Sequence, residues 1–146
     1  MVSFSPSKAT SVYYGRVKRE EEIRYWLGIA KDDLRVAGRL IDTNDRLHAL
    51  FFCHLAIEKM LKALFVKVNG GSPPPIHNLP RLAMESKLTL SEEDLEFLNE
   101  LLRFNIDARY PKDRVKIRKA CTKKYSADVL QTVKKWQRRL TTEIRK

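Results

Sequence analysis

Apolar residues recur at steps of three and four through most of this chain, and nowhere does a strand-like alternation appear. Between about Glu20 and Ile41, the residues Ile23, Trp26, Leu27, Ala30, Leu34, Ala37 and Ile41 make one stripe and predict a helix. Glu20, Glu21 and Glu22 stand at its start, where carboxylates suit the positive end of a helix dipole. Asp42 to Asp45 then reads as a short turn offering N-cap side chains. A second helix is predicted from about Arg46 to Val68, with Leu50, Cys53, Ile57, Met60, Leu61, Leu64 and Val68 facing inward. Phe51, Phe52, Ala56 and Phe65 widen that face, so this helix is central or covered by a second subunit. Asn69-Gly70-Gly71 ends it, and Ser72-Pro73-Pro74-Pro75 is a stiff connector.

A short helix is predicted from about Leu79 to Lys87, capped by Asn78. Ser91 caps the next long one, whose first turn holds Glu92, Glu93 and Asp94. Its expected inner stripe is Leu95, Leu98, Leu102 and Ile106, joined by Leu101, and Pro111 should stop it near Arg109. Residues 111–121 read as a basic connector, and a last helix runs from about Thr122 to Ile144 with Tyr125, Val129, Val133, Trp136 and Leu140 inward. Residues 1–18 lack apolar periodicity and read as a flexible N-terminal lead-in. The expected fold class is therefore all-α. It is an antiparallel up-and-down helical bundle of four long helices plus a short helix, in a single domain over residues 19–146.

Charge adds a second pattern. Residues 1–102 hold 14 basic and 14 acidic side chains, whereas residues 103–146 hold 15 basic and 4 acidic ones. The whole excess of +11 thus falls in the last third, which favours an anionic partner, most simply a polynucleotide. The bland alternative is a solvated helix face rich in lysine. No apolar run reaches the roughly 20 residues needed to span a bilayer, and the N-terminus lacks a signal-peptide core. The expectation is a cytoplasmic protein without membrane contact. Cys53 and Cys121 have no companions at zinc-ligand spacing, so no metal is expected.

On the second helix His54 and Glu58 are four residues apart and share a face, a possible polar site. The alternative is a satisfied core histidine and a carboxylate holding a neighbouring arginine. Lys59 and Lys62 read as solvated. His77, next to the capping Asn78, can fix its loop by hydrogen bonds or meet a ligand phosphate. Arg109-Tyr110-Pro111 is either a helix stop or a phosphate grip with a stacking ring. Trp26, Phe51, Phe52 and Phe65 read as core or subunit interface, and Tyr13 and Tyr14 as part of the lead-in.

Three blocks in order, Ala56 to Phe65 (AIEKMLKALF), Pro74 to Leu79 (PPIHNL) and Ala108 to Pro111 (ARYP), resemble the HEPN domain (higher eukaryotes and prokaryotes nucleotide-binding). Trp26 and the Asp32-Asp33-Leu34 run on the first helix fit the same likeness, which covers about residues 20–144. The resemblance implies a helical bundle, usually a homodimer, that binds nucleotide or RNA and needs no cofactor. It also implies pairing with a small nucleotidyltransferase, in some cases as toxin and antitoxin. Many members are metal-independent ribonucleases whose signature is Arg, four to six residues, then His.

Here Arg103 is the best-placed arginine, but that spacing reaches Ala108, Arg109 and Tyr110, and no histidine follows His77. Cleavage of RNA through its 2′-OH requires a base and an acid, which histidine supplies near neutrality and arginine does not. Arg103, Asn105, Asp107, Arg109, Tyr110, Lys112 and Arg114 therefore read as a phosphate-binding cluster. Arg103, Arg109 and His54 are the candidates for any catalytic role. Three functions follow: a nucleotide- or RNA-binding partner of a nucleotidyltransferase, an endoribonuclease toxin with an altered Arg/His site, or a helical interaction module without nucleic acid.

Overall fold

The structure, a computed structural model, describes residues 8–110, 112 and 114–146, with side chains described from Gly15 onward except that of Arg114. Its helices in chain order are α1 (Lys8–Asp42), α2 (Arg46–Asn69), α3 (Leu79–Glu85), α4 (Glu92–Asp107), α5 (Arg114–Ala120) and α6 (Lys123–Arg145). No strand occurs among the described residues, and the fold is all-α. The four long helices α1, α2, α4 and α6 make the bundle. α2 packs against every other helix, which explains why it is apolar on so much of its surface.

The core is a column of α2 residues, Leu50, Ile57, Leu61 and Leu64, enclosed by Leu79 and Leu82 of α3, Leu98 and Leu101 of α4, and Val133 and Leu140 of α6. Ala30 and Ala37 on α1 are buried, as are Ala49, Ala56 and Ala63 on α2. Small side chains at such spacing let two helix backbones come close. The ends are closed by specific contacts. Gly70 at φ 79 ends α2 in the left-handed conformation, and its N–H donates to the Val66 carbonyl. Asn69 Nδ2 donates to the Glu85 carbonyl at 2.9 Å, tying the end of α2 to that of α3. Ser91 and Asp94 form a reciprocal capping box on α4. Arg139 of α6 donates to Asp94 at 3.0 Å and to the Thr89 carbonyl at 2.6 Å, while its guanidinium lies over Trp136.

Several expectations need correction. α1 begins at Lys8, so it runs through residues 8–18, read as flexible, and through the domain boundary set at residue 19. Between Lys8 and Glu20 there is one glycine and no proline. Once the packed part of a helix has formed, each further residue adds a hydrogen bond at little cost. Residues 1–7 and the side chains of Tyr13 and Tyr14 lie outside the described residues. The basic connector holds a second short helix, α5, whose Ile117 packs on the core and anchors it. Asp45 does not cap α2 with its side chain; its carboxylate accepts from Thr43 Oγ1 at 3.0 Å. Val68 and Ile106 face solvent, and Phe104 is buried in place of Ile106. α4 carries apolar residues on more than one side, so its period alone does not choose the buried stripe.

Candidate nucleic-acid interface

At one end of the bundle, the α1–α2 turn, the start of α2, the residues just after α4, α5 and the α5–α6 junction line a cavity of about 500 Å³. Among the described residues its cationic lining is Arg46, Arg109 and Arg118, with His48 beside them and Asp45 as a carboxylate. The turn is built by Asn44 at φ 66, in the left-handed region that asparagine tolerates, and by Asp45 N–H donating to the Leu40 carbonyl. It delivers the first turn of α2 to the cavity without a side-chain cap, so the positive end of the α2 dipole adds to the arginine charge.

Arg46 is braced from both sides. Its Nη1 donates to the Cys121 carbonyl and its Nη2 to Asn44 Oδ1, each at 3.3 Å. Its Nε is buried and has no protein partner, so the guanidinium keeps donor capacity in reserve. Arg109 is exposed just past the end of α4 and lies over the Phe51 ring at 5.7 Å. Arg118 is exposed on α5. Burial pushes the Cys121 thiol up and Asp107 adds to that, while Arg46 and Arg103 pull the other way. Arg103 and Asp107 of α4 thus act electrostatically on Cys121, which lines the cavity.

Of the residues expected to bind phosphate, Arg109 lines the cavity, whereas Arg103 and Asp107 are not among its lining residues. Asn105 is half-buried on α4, and its Oδ1 has no protein partner. Tyr110 and Lys112 are exposed and do not line the cavity, and the side chain of Arg114 lies outside the described residues.

His54 and Glu58 belong to a different, internal network. Both are fully buried. Glu58 accepts from His77 Nδ1 at 2.7 Å and Lys59 Nζ at 3.0 Å, and pairs with Lys62 Nζ at 3.5 Å. Among the described residues no arginine is involved, and Lys62, expected in solvent, is buried with its ammonium over the Trp26 ring at 5.3 Å. The carboxylate explains this, because a buried Glu58 needs nearby charge and donors. Burial alone would raise the Glu58 pKa, but the hydrogen bonds from His77 and Lys59 and the charges of Lys59 and Lys62 hold it below its usual value. His54 Nε2 donates to the His77 carbonyl at 3.2 Å. Burial lowers its pKa to about 4, with Glu58 offsetting only part, so the ring is neutral. This network fastens the loop before α3 onto α2. His54 is sealed inside it, away from solvent. Among the described residues, no group of His, Cys, Asp and Glu is arranged to hold a metal ion, and no helix is long and apolar enough to cross a membrane.

The HEPN domain family model matches residues 23–138, most of the chain. The chain belongs to the HEPN domain family. Membership accords with a nucleotide- or RNA-related function. The chain is also similar to a ribosomal RNA small subunit methyltransferase H from Beijerinckia indica subsp. indica. The two are 30% identical over 101 residues, which is 69% of this chain and 27% of that relative. The chain thus spans about a quarter of the relative's length. No solved structure matches it.

In this HEPN domain the sequence reading missed Arg46, His48 and Arg118. Arg46 and His48 lie some sixty residues before Arg109 and meet it only through the packing of α2 against α4 and α5. One signal was available: His48 is one of only three histidines, and it stands in the first turn of a predicted helix. Chemically, three guanidiniums around one cavity can grip phosphate oxygens in a bidentate manner.

Proposed function

We propose that this HEPN domain binds the phosphates of a nucleotide or an RNA strand in the cavity at the start of α2. The observation that carries the reading is the convergence of Arg46, Arg109 and Arg118 on about 500 Å³, a volume in the range that small-ligand sites occupy. The similarity to a ribosomal RNA methyltransferase favours RNA as the polymer. The protein acts by binding, as the companion of a small nucleotidyltransferase in a two-component, toxin–antitoxin-like system, as the family resemblance implies. A second copy would pack on the exposed apolar residues Ile106, Tyr110 and Val115 at the end of α4 and the start of α5. Titration of labelled RNA across a salt series tests the binding reading. Affinity should fall steeply with salt and be lost in an Arg109→Gln/Arg118→Gln variant. Salt-independent or variant-independent binding overturns it.

A second reading has its own observation. His48 shares the cavity with the three arginines and is exposed. It supplies the proton-transferring group that the chain lacks after Arg103, so the same cavity supports metal-independent cleavage of RNA.

A further inference from the structure

A second concavity, about 520 Å³, runs along the seam between α1 and α6. Lys31, Arg35 and Arg39 of α1 line one side, and Lys134 and Gln137 of α6 the other. Its floor is apolar, formed in part by Leu34 and Leu130. The three α1 cations are spaced four residues apart, so they rise along the helix at intervals of ~6 Å. Like charges at that spacing repel and cost the isolated helix stability. Arg35 reaches only Asp32, at 3.5 Å on an exposed surface, a pair that contributes little. Lys31, Arg39 and Lys134 form no ion pair among the described residues. Among the described residues four cations, Lys31, Arg35, Arg39 and Lys134, share the groove with a single lining carboxylate, Asp42 at its end, and that excess of positive charge is relieved by a polyanion.

The α1–α2 turn contributes residues to both the groove and the cavity. Asp42, the last residue of α1, lines the groove, and Asn44 and Asp45 of the same turn line the cavity. We propose that the α1–α6 groove holds the sugar-phosphate backbone of a single RNA strand whose continuation enters the arginine cavity. This rests on the cavity reading for where the strand leads, while the groove's own charge stands apart from it. A second copy of this chain is a poor occupant, because its net charge of +11 would face more cations. Among the described residues no aromatic side chain lines the groove, so these offer bases no stacking platform. The track therefore reads phosphates and is indifferent to base sequence.

The test uses the whole chain and two uridine oligonucleotides, a dinucleotide that fills the cavity only and a dodecanucleotide that reaches the groove. Binding is followed by fluorescence anisotropy over a range of salt. The variant is Lys31→Gln/Arg39→Gln/Lys134→Gln, with circular dichroism melting to establish that it folds. Loss of three phosphate contacts should flatten the plot of log affinity against log salt by about two for the dodecanucleotide. Dinucleotide affinity should not change. An unchanged slope for the dodecanucleotide in the folded variant overturns the groove. So does polyglutamate of equal charge that displaces the RNA and binds with the same affinity, since the groove would then serve an acidic protein. If the wild-type chain ignores the dinucleotide while the groove variant still flattens the dodecanucleotide slope, the cavity reading fails and the groove stands.

Discussion

His77 Nδ1 donates to Glu58 Oε1 at 2.7 Å, so a loop histidine that is half in solvent fastens onto a carboxylate buried in the middle of α2. The contact fixes the tautomer, because the ring nitrogen facing the carboxylate must carry the proton. It also explains how α2 holds an acid in an otherwise apolar column.

Removing that acid leaves Lys62 buried without its partner. Glu58→Ala should therefore destabilise the fold by ~3–5 kcal/mol, the range for breaking a buried pair on one side. Chemical denaturation reads this directly. The double variant Glu58→Leu/Lys62→Met removes both charges and should recover part of the loss. A single variant within about 1 kcal/mol of wild type would mean the network does not hold the loop.

Two pH windows follow from the same cluster. The Glu58 pKa lies below its ordinary 4.5, so its contribution is full above that pH and is lost as pH falls through the lower folded value. His54 acts earlier. Its pKa drops from 6.5 to about 4 on folding, mainly through burial, so the unfolded chain binds the proton more readily between those values. Stability should thus decline as pH falls from 6.5 towards 4, by ~3 kcal/mol at most. His54→Gln can keep a donor to the His77 carbonyl and has nothing to titrate. Denaturant midpoints measured across this range should be flatter for it than for wild type, and an equally steep decline would assign the effect to other groups.

The helices were readable because a three-and-four period sustained over twenty residues fits a helix and not a strand, as with Ile23 to Ile41 on α1. What the period could not decide is where an exposed helix stops. The residues of α1 before Glu20 carry no three-and-four apolar period, and α5 is too short to show one, although its Ile117 packs on the core. The site was legible only in part for a related reason. Arg109 stands beside a proline stop and draws attention, whereas Arg46 and Arg118 look like ordinary surface arginines until the bundle brings them together. Lys62 misled in the opposite direction, since helix position alone does not reveal that Glu58 beside it is buried.

Arg46 should matter twice. Its bonds to the Cys121 carbonyl and to Asn44 Oδ1 join the α1–α2 turn to the start of α6, and its guanidinium borders the cavity. Arg46→Ala should lower stability by about 1–2 kcal/mol, the cost of removing hydrogen bonds from a charged donor. It should also weaken RNA binding about tenfold or more, as expected for a lost charge-assisted contact. Arg46→Lys keeps the charge but not the planar fork, so calorimetry should show binding only partly restored. Full recovery by lysine would show that charge alone is read.

His48 decides between binding and cleavage. Of the described side chains around the cavity, the imidazole is the one suited to take a proton from a 2′-OH and return it to a leaving oxygen. The oxygen attacks the adjacent phosphorus, the bond to the 5′-oxygen breaks, and a 2′,3′-cyclic phosphate remains on one fragment. Arg46, Arg109 and Arg118 would meet the extra negative charge on the pentacoordinate phosphorus. If the cavity cleaves, labelled RNA in the presence of a chelator should yield fragments with cyclic phosphate ends, and a 2′-deoxy strand should stay intact. His48→Gln should then slow cleavage by about 10²–10⁴, the usual contribution of general acid–base catalysis, while RNA affinity holds. Fragments that persist undiminished in His48→Gln would remove His48 from the chemistry. Intact RNA with the wild-type chain leaves the cavity as a binding site alone, because the arginines that grip phosphate lack a working proton shuttle.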